Sequence, residues 1–134
     1  MYTFSTQVRV RYGETDKMGY LYYGNYAQYL EVGRVETMRS LGLVYADMEN
    51  IHDIFLPVAL YESKYVRPAK YDNLLRVETT IPDMPAKFIK FHTKIFNEAD
   101  ELINISKITL AFINGKGERL AAPEFMIEAL KPYF

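Results

Sequence analysis

The chain has 134 residues with no cysteine, no tryptophan and only two histidines, and its sixteen basic side chains nearly balance seventeen acidic ones. Each scarcity closes a class of function. Without cysteine there is no disulfide, thiolate nucleophile or cysteine-held metal, and the chain suits a reducing compartment. A net charge of −1 supplies no basic stripe or face for a nucleic acid. No apolar run approaches the roughly 18 residues of a membrane span, and Met1-Tyr2-Thr3-Phe4-Ser5 lacks the charged-then-apolar order of a secretory leader. These readings place the chain in the cytoplasm with neither nucleic acid nor membrane as partner. His52 and His92 stand far apart without further ligand spacing, so no metal is expected. No Gly-x-Ser-x-Gly surrounds Ser5, Ser40, Ser63 or Ser106. The spacing of Gly13, Gly19 and Gly24 suits turns, and no Gly-Lys-Ser/Thr ending makes a phosphate loop.

What is abundant is aromatic: twelve tyrosines and eight phenylalanines, material for a core or an apolar ligand tunnel. Hydrophobic periodicity organises them. Phe4 to Tyr12 reads as a first strand, with Val8 and Val10 alternating against Gln7, Arg9 and Arg11. A glycine-punctuated loop follows, and then Tyr26, Tyr29, Leu30, Gly33, Thr37 and Leu41 recur at three- and four-residue spacing, one face of a helix. Asn25 is a candidate N-cap with Gln28 completing a capping box, and Gly42 is a C′ stop. Gly33, costly inside a helix by roughly 1 kcal/mol, marks either a close approach by a sheet or a tolerated defect. Glu31 and Arg34 are spaced as a solvated rim pair.

After the helix the period becomes two. Leu56 to Tyr65, Leu75 to Ile81 and Ile89 to Ile95 alternate as strands. Leu102 to Ile113 turns apolar on both faces, the pattern of a central strand. Arg67-Pro68-Ala69-Lys70-Tyr71-Asp72-Asn73 and Asn114-Gly115-Lys116-Gly117 are turns, and Pro123-Glu124-Phe125 can open a short terminal helix. A length of 134 residues fits one domain, residues 1–134. The fold class is α+β: an antiparallel sheet of about five strands wrapped around one long central helix. Its free edges and outer face favour a second copy as cover, hence a homodimer at least.

The candidate site is Thr15-Asp16-Lys17-Met18-Gly19-Tyr20-Leu21-Tyr22-Tyr23-Gly24-Asn25-Tyr26. It sets a carboxylate beside a helix start, whose first N–H groups lack intrahelical partners and carry about half a positive charge. Such an end polarises a carbonyl oxygen while Asp16 acts on the carbon beside it. On its own, Asp16 is equally a turn residue.

Arg9-Val10-Arg11-Tyr12-Gly13-Glu14-Thr15-Asp16, then Gly19, Tyr22-Tyr23, Asn25-Tyr26 and the helix, and later Arg67-Pro68-Ala69 with Tyr71-Asp72, resemble the hotdog-fold acyl-CoA thioesterases of the 4-hydroxybenzoyl-CoA thioesterase type. The resemblance implies a hotdog fold and hydrolysis of an acyl-CoA or acyl-carrier-protein thioester, a small-molecule acyl thioester. No cofactor is implied, coenzyme A being part of the substrate, and the assembly implied is a homodimer or a dimer of dimers. The family's loop aspartate falls on Asp16, as nucleophile or as the base that activates water. Its backbone donor falls on Tyr23 or its neighbour. Some relatives carry His where Tyr23 stands, so Tyr23 is expected to act through its main chain. Tyr12 either orients the carboxylate or ends the strand in the core. Gly24, Asn25 and Tyr26 are candidate substrate contacts at the helix start. Lys64, Lys70 and Lys90 lead the candidates for coenzyme A phosphates, with Lys87 behind them and Arg67 least favoured because of its turn. A non-catalytic acyl-thioester binding protein is the alternative; a dehydratase or hydratase would need a His beside a carboxylate, and neither His52 nor His92 lies in the loop.

Overall fold

The computed structural model describes residues 1–134. In chain order it contains β1 (Tyr2–Arg9), α1 (Tyr26–Ser40), α2 (Tyr45–Asn50), β2 (Val58–Tyr65), β3 (Leu74–Ile81), β4 (Phe88–Phe96), β5 (Leu102–Ile113), β6 (Arg119–Leu120) and α3 (Glu124–Leu130). The sheet is antiparallel in the order β1-β3-β4-β5-β2, with the two-residue β6 pairing the end of β5. This is the expected α+β hotdog arrangement. The additions to it are α2 and β6, both too short to leave a periodic signal.

Alternation fixes which face of the sheet is covered. Leu75, Val77, Thr79 and Ile81 of β3 are buried, as are Ile89, Phe91, Thr93 and Ile95 of β4. The helix lays Tyr26, Tyr29, Leu30, Gly33, Thr37 and Met38 against that face. Gly33 proves to be a close approach: a Cβ there would lie 2.6 Å from Val77 Cγ1 and 2.7 Å from Thr79 Oγ1. The helix therefore sits lower on the sheet than any larger residue permits.

Both helix ends follow local chemistry, though one departs from expectation. At the C-terminus Gly42 takes φ of +79°, and the N–H groups of Gly42 and Leu43 donate to the Arg39 and Met38 carbonyls, each at 2.9 Å. That is a Schellman stop. At the N-terminus the Asn25 and Gln28 capping box does not form. Asn25 has helical backbone angles and makes no side-chain cap, because a 3₁₀ turn over Tyr23–Asn25 already carries the chain into the helix, with Tyr22 extended before it. Asn25 Nδ2 donates instead to the Glu14 carbonyl at 3.0 Å, tying the loop to the helix start. Nor do Glu31 and Arg34 pair. The Arg34 Nε and Nη1 atoms are buried without a hydrogen-bond partner, and the exposed ion pair on this helix is Arg39 with Glu36 at 3.4 Å.

Candidate active site

The loop between β1 and α1 is held on both sides. Thr15 bridges Leu21 and Tyr20 bridges Lys70, while the Leu21 N–H donates to the Ala69 carbonyl at 2.8 Å. The Pro68-Ala69 turn thus serves as the loop's backing. Within it, Asp16 closes a tight turn: its N–H donates to the Tyr20 carbonyl at 2.8 Å, and its own carbonyl accepts the Gly19 N–H at 3.0 Å. Gly19 takes φ of +78° to complete that turn. The carboxylate is fixed through one oxygen. Asp16 Oδ1 accepts the N–H groups of Met18 at 2.9 Å and Tyr20 at 3.1 Å, which leaves Oδ2 without a partner in the chain.

Asp16 lines an open cleft of about 310 Å³ together with Tyr20, Leu21, Tyr23, Tyr26, Tyr65 and Arg67. Tyr23, which also lines the cleft, begins the helical run. The Asn25 N–H donates to the Tyr22 carbonyl and the Tyr26 N–H to the Tyr23 carbonyl, but the N–H groups of Tyr23 and Gly24 donate to no group of the chain. They are the first free donors of a helical run reaching Ser40. A methyl group on Gly24 would come 2.7 Å from the Tyr22 ring, so glycine lets that ring pack against the helix start.

The other candidates are distributed unevenly. Tyr23 is 65% exposed, its ring tilted against Tyr22 at 4.7 Å, and it lines the cleft. Tyr26 is buried, its ring edge-on to Tyr65 at 4.9 Å, and burial pushes its hydroxyl up. Tyr12 does not reach Asp16: its ring meets Tyr71 edge-on at 5.6 Å and its carbonyl accepts the Thr15 hydroxyl. Asn25 is engaged with Glu14. Lys64, opposite Ile105, and Lys90, opposite Thr109, project from the outer face of the sheet, away from the helix side. Lys70 flanks the loop through its bridge to Tyr20. The basic side chain that lines the cleft is Arg67, 3.8 Å from Glu101.

Glu14 and Tyr65 are not among the expected site residues, and Arg67, the least favoured of the basic candidates, is the one that lines the cleft. Glu14 is a buried carboxylate that accepts Arg11 Nη2 at 2.8 Å and the Tyr29 hydroxyl at 2.6 Å. The Arg11 guanidinium holds its carboxyl down to about 2 against the opposing effect of burial, with Tyr29 assisting. Burial and the Glu14 charge push Tyr29 up. This network clamps β1, the loop and α1 behind Asp16. Its only sequence signal is the three-residue spacing of Arg11 and Glu14. Tyr65 was legible as a strand residue, and its parity with Tyr61 and Ser63 puts all three on one face of β2.

One long helix packed on an antiparallel sheet of five to six strands is the architecture of the hotdog-fold thioesterases. The thioesterase-like superfamily model matches residues 10–130, and the chain belongs to that family. In sequence it is 35% identical over 102 residues to the Bacillus subtilis (strain 168) protein named "Putative acyl-CoA thioesterase YneP", covering 76% of this chain and 73% of that one. It is 29% identical over 107 residues to the acyl-CoA thioesterase YbgC of Haemophilus influenzae, covering 80% and 76%. In structure it is similar to the DHNA-CoA thioesterase from Staphylococcus aureus, with a TM-score of 0.86 and 32% identity, covering 100% of this chain and 85% of that one.

Proposed function

We propose that the chain hydrolyses an acyl-CoA thioester to the free acid and coenzyme A, with Asp16 as the reacting carboxylate and the Tyr23 and Gly24 N–H groups as donors to the thioester oxygen. The observation that carries this reading is a carboxylate with one oxygen fixed and one free on a cleft that Tyr23 also lines, next to a helix start whose Tyr23 and Gly24 N–H groups the fold leaves unused. Attack on the carbonyl carbon moves an electron pair onto oxygen, where a preorganised donor is worth about 2.7 to 4 kcal/mol. In the general-base route Asp16 Oδ2 takes a proton from water as that water attacks. Collapse of the tetrahedral intermediate breaks the carbon–sulfur bond, and the same proton passes to the departing thiolate. In the nucleophilic route Oδ2 attacks the carbonyl carbon and the carbon–sulfur bond breaks, expelling the coenzyme A thiolate; water then cleaves the mixed anhydride to the free acid and the Asp16 carboxylate, and a proton from that water passes to the thiolate. A fixed Oδ1 with a free Oδ2 serves either route, as base or as nucleophile.

No cofactor is needed, because coenzyme A arrives with the substrate. Arg67 in the cleft and Lys70 beside the loop are the cations best placed for its phosphates. The working assembly is a cytoplasmic homodimer. Thiol release over short, long and aromatic acyl-CoAs, run beside Asp16→Asn, tests the reading. Release by the unmodified chain and its loss in the variant support it. Tight acyl-CoA binding with no release would instead make the chain a binding protein.

A further inference from the structure

The helix-start amides are not positioned by the helix alone. Tyr65, at the end of β2, donates its hydroxyl proton to the Tyr23 carbonyl at 3.2 Å. That carbonyl also accepts the Tyr26 N–H, so it is held from two directions. The carbonyl belongs to the same peptide plane as the Gly24 N–H, and no peptide bond in the chain is cis. In a trans plane the N–H points opposite to the C=O. Fixing the oxygen therefore fixes the direction of the Gly24 N–H, which has no partner of its own. The bond acts on electrons as well as on direction. A hydrogen bond to a carbonyl draws charge toward oxygen and makes the N–H of the same amide a stronger donor, the cooperativity seen along hydrogen-bonded chains.

The Tyr65 ring is itself positioned, edge-on to Tyr26 at 4.9 Å and to Tyr23 at 6.5 Å. Beneath it, Ser63, Asn104 and Ser106 form a closed ring: Asn104 Nδ2 donates to Ser63 Oγ at 2.9 Å and Ser106 Oγ donates to Asn104 Oδ1 at 2.5 Å. With both of those protons committed, the 2.9 Å contact between the two serines requires Ser63 to donate to Ser106. Side chains thereby stitch the end of edge strand β2 to β5, and the base of Tyr65 is anchored to the sheet interior.

We infer that Tyr65 is a positioning residue for thioester hydrolysis, orienting and polarising the Gly24 N–H through the Tyr23 carbonyl; this rests on the thioesterase reading above. Tyr65 touches neither water nor leaving group in this role. It acts on the barrier and not on substrate capture.

Tyr65→Phe keeps the ring contacts and removes the one proton that matters. It is expected to lower kcat about five- to tenfold with KM nearly unchanged and the thermal midpoint preserved. A second readout separates polarisation from packing. In Asp16→Asn with a bound acyl-CoA, the infrared stretch of the thioester carbonyl reports the donors on its oxygen, and adding Tyr65→Phe should move it to higher frequency. Tyr65→Leu, which also removes the ring, should lower the thermal midpoint, whereas Tyr65→Phe should not. Unchanged kcat in Tyr65→Phe, or a loss confined to KM, would overturn the positioning role alone. No thiol release by the unmodified chain would overturn the thioesterase reading and this role with it.

Discussion

Asp16 and Glu14 stand two residues apart and have opposite duties. Asp16 keeps a free oxygen toward the cleft, while Glu14 has both oxygens engaged, by Arg11 and Tyr29. A carboxylate spent in this way stabilises the fold instead of reacting. Its folded value of about 2 lies below the roughly 4.3 of a free glutamate. The stabilisation is therefore fully present above about pH 4.3 and is lost as pH falls toward 2. It is on the order of 2 kcal/mol once the exposed Arg11 partner is discounted for screening. Urea unfolding at pH 6 and pH 3 should show the wild type losing stability across this interval, and Glu14→Gln should be less stable at pH 6 with a flatter pH dependence. An equal slope in the two proteins would remove Glu14 from the account.

At the scale of elements, the fit between α1 and the sheet depends on one missing methyl group. Gly33→Ala gains up to about 1 kcal/mol of helix propensity, but its Cβ would meet Val77 and Thr79 side chains. Overpacking typically costs about 1–3 kcal/mol, so a net loss near 1 kcal/mol and a lower thermal midpoint are expected. A higher midpoint would mean that the sheet yields. The helix, the four long strands after it and the Gly42 stop were legible because each carries its period, or its turn chemistry, within its own residues. The helix entry was misread for the same reason. Asn25 and Gln28 satisfy a local rule, but the Glu14 carbonyl, eleven residues upstream, competes for the Asn25 side chain and wins. Asp16 could be singled out because its loop and the helix start are contiguous in sequence. Tyr65 could not, and Arg67 ranked last among the basic candidates, since both reach the cleft only when the end of β2 folds back beside the helix start.

For the whole molecule, β1 and β2 are the two edges of the sheet, each paired on one side only, and β2 is the one that exposes large apolar side chains. Val58 and Leu60 are 53% and 54% exposed, and Tyr61 and Tyr65 are open as well. An unpaired strand edge that exposes Val58, Leu60, Tyr61 and Tyr65 beside the polar Glu62, Ser63 and Lys64 is a pairing surface, and it ends at the cleft. We propose that two copies join there, which would place each cleft near the junction. The outer sheet face is less suited to stacking on its own copy, because Arg76, Lys64, Lys90, Lys94 and Lys107 outnumber Glu62 and Glu78 on it. Light scattering after size exclusion should give the dimer mass, and Leu60→Lys should shift it toward monomer with a parallel loss of activity. A monomeric wild type with full activity would contradict this assembly.

The central claim is that Asp16 performs the chemistry on a thioester, and steady-state thiol release from an acyl-CoA by the wild type and by Asp16→Asn tests it most directly. The account predicts turnover by the wild type and a fall in kcat of about 10²- to 10⁴-fold in the variant, with acyl-CoA still bound. Undiminished release by Asp16→Asn would contradict it.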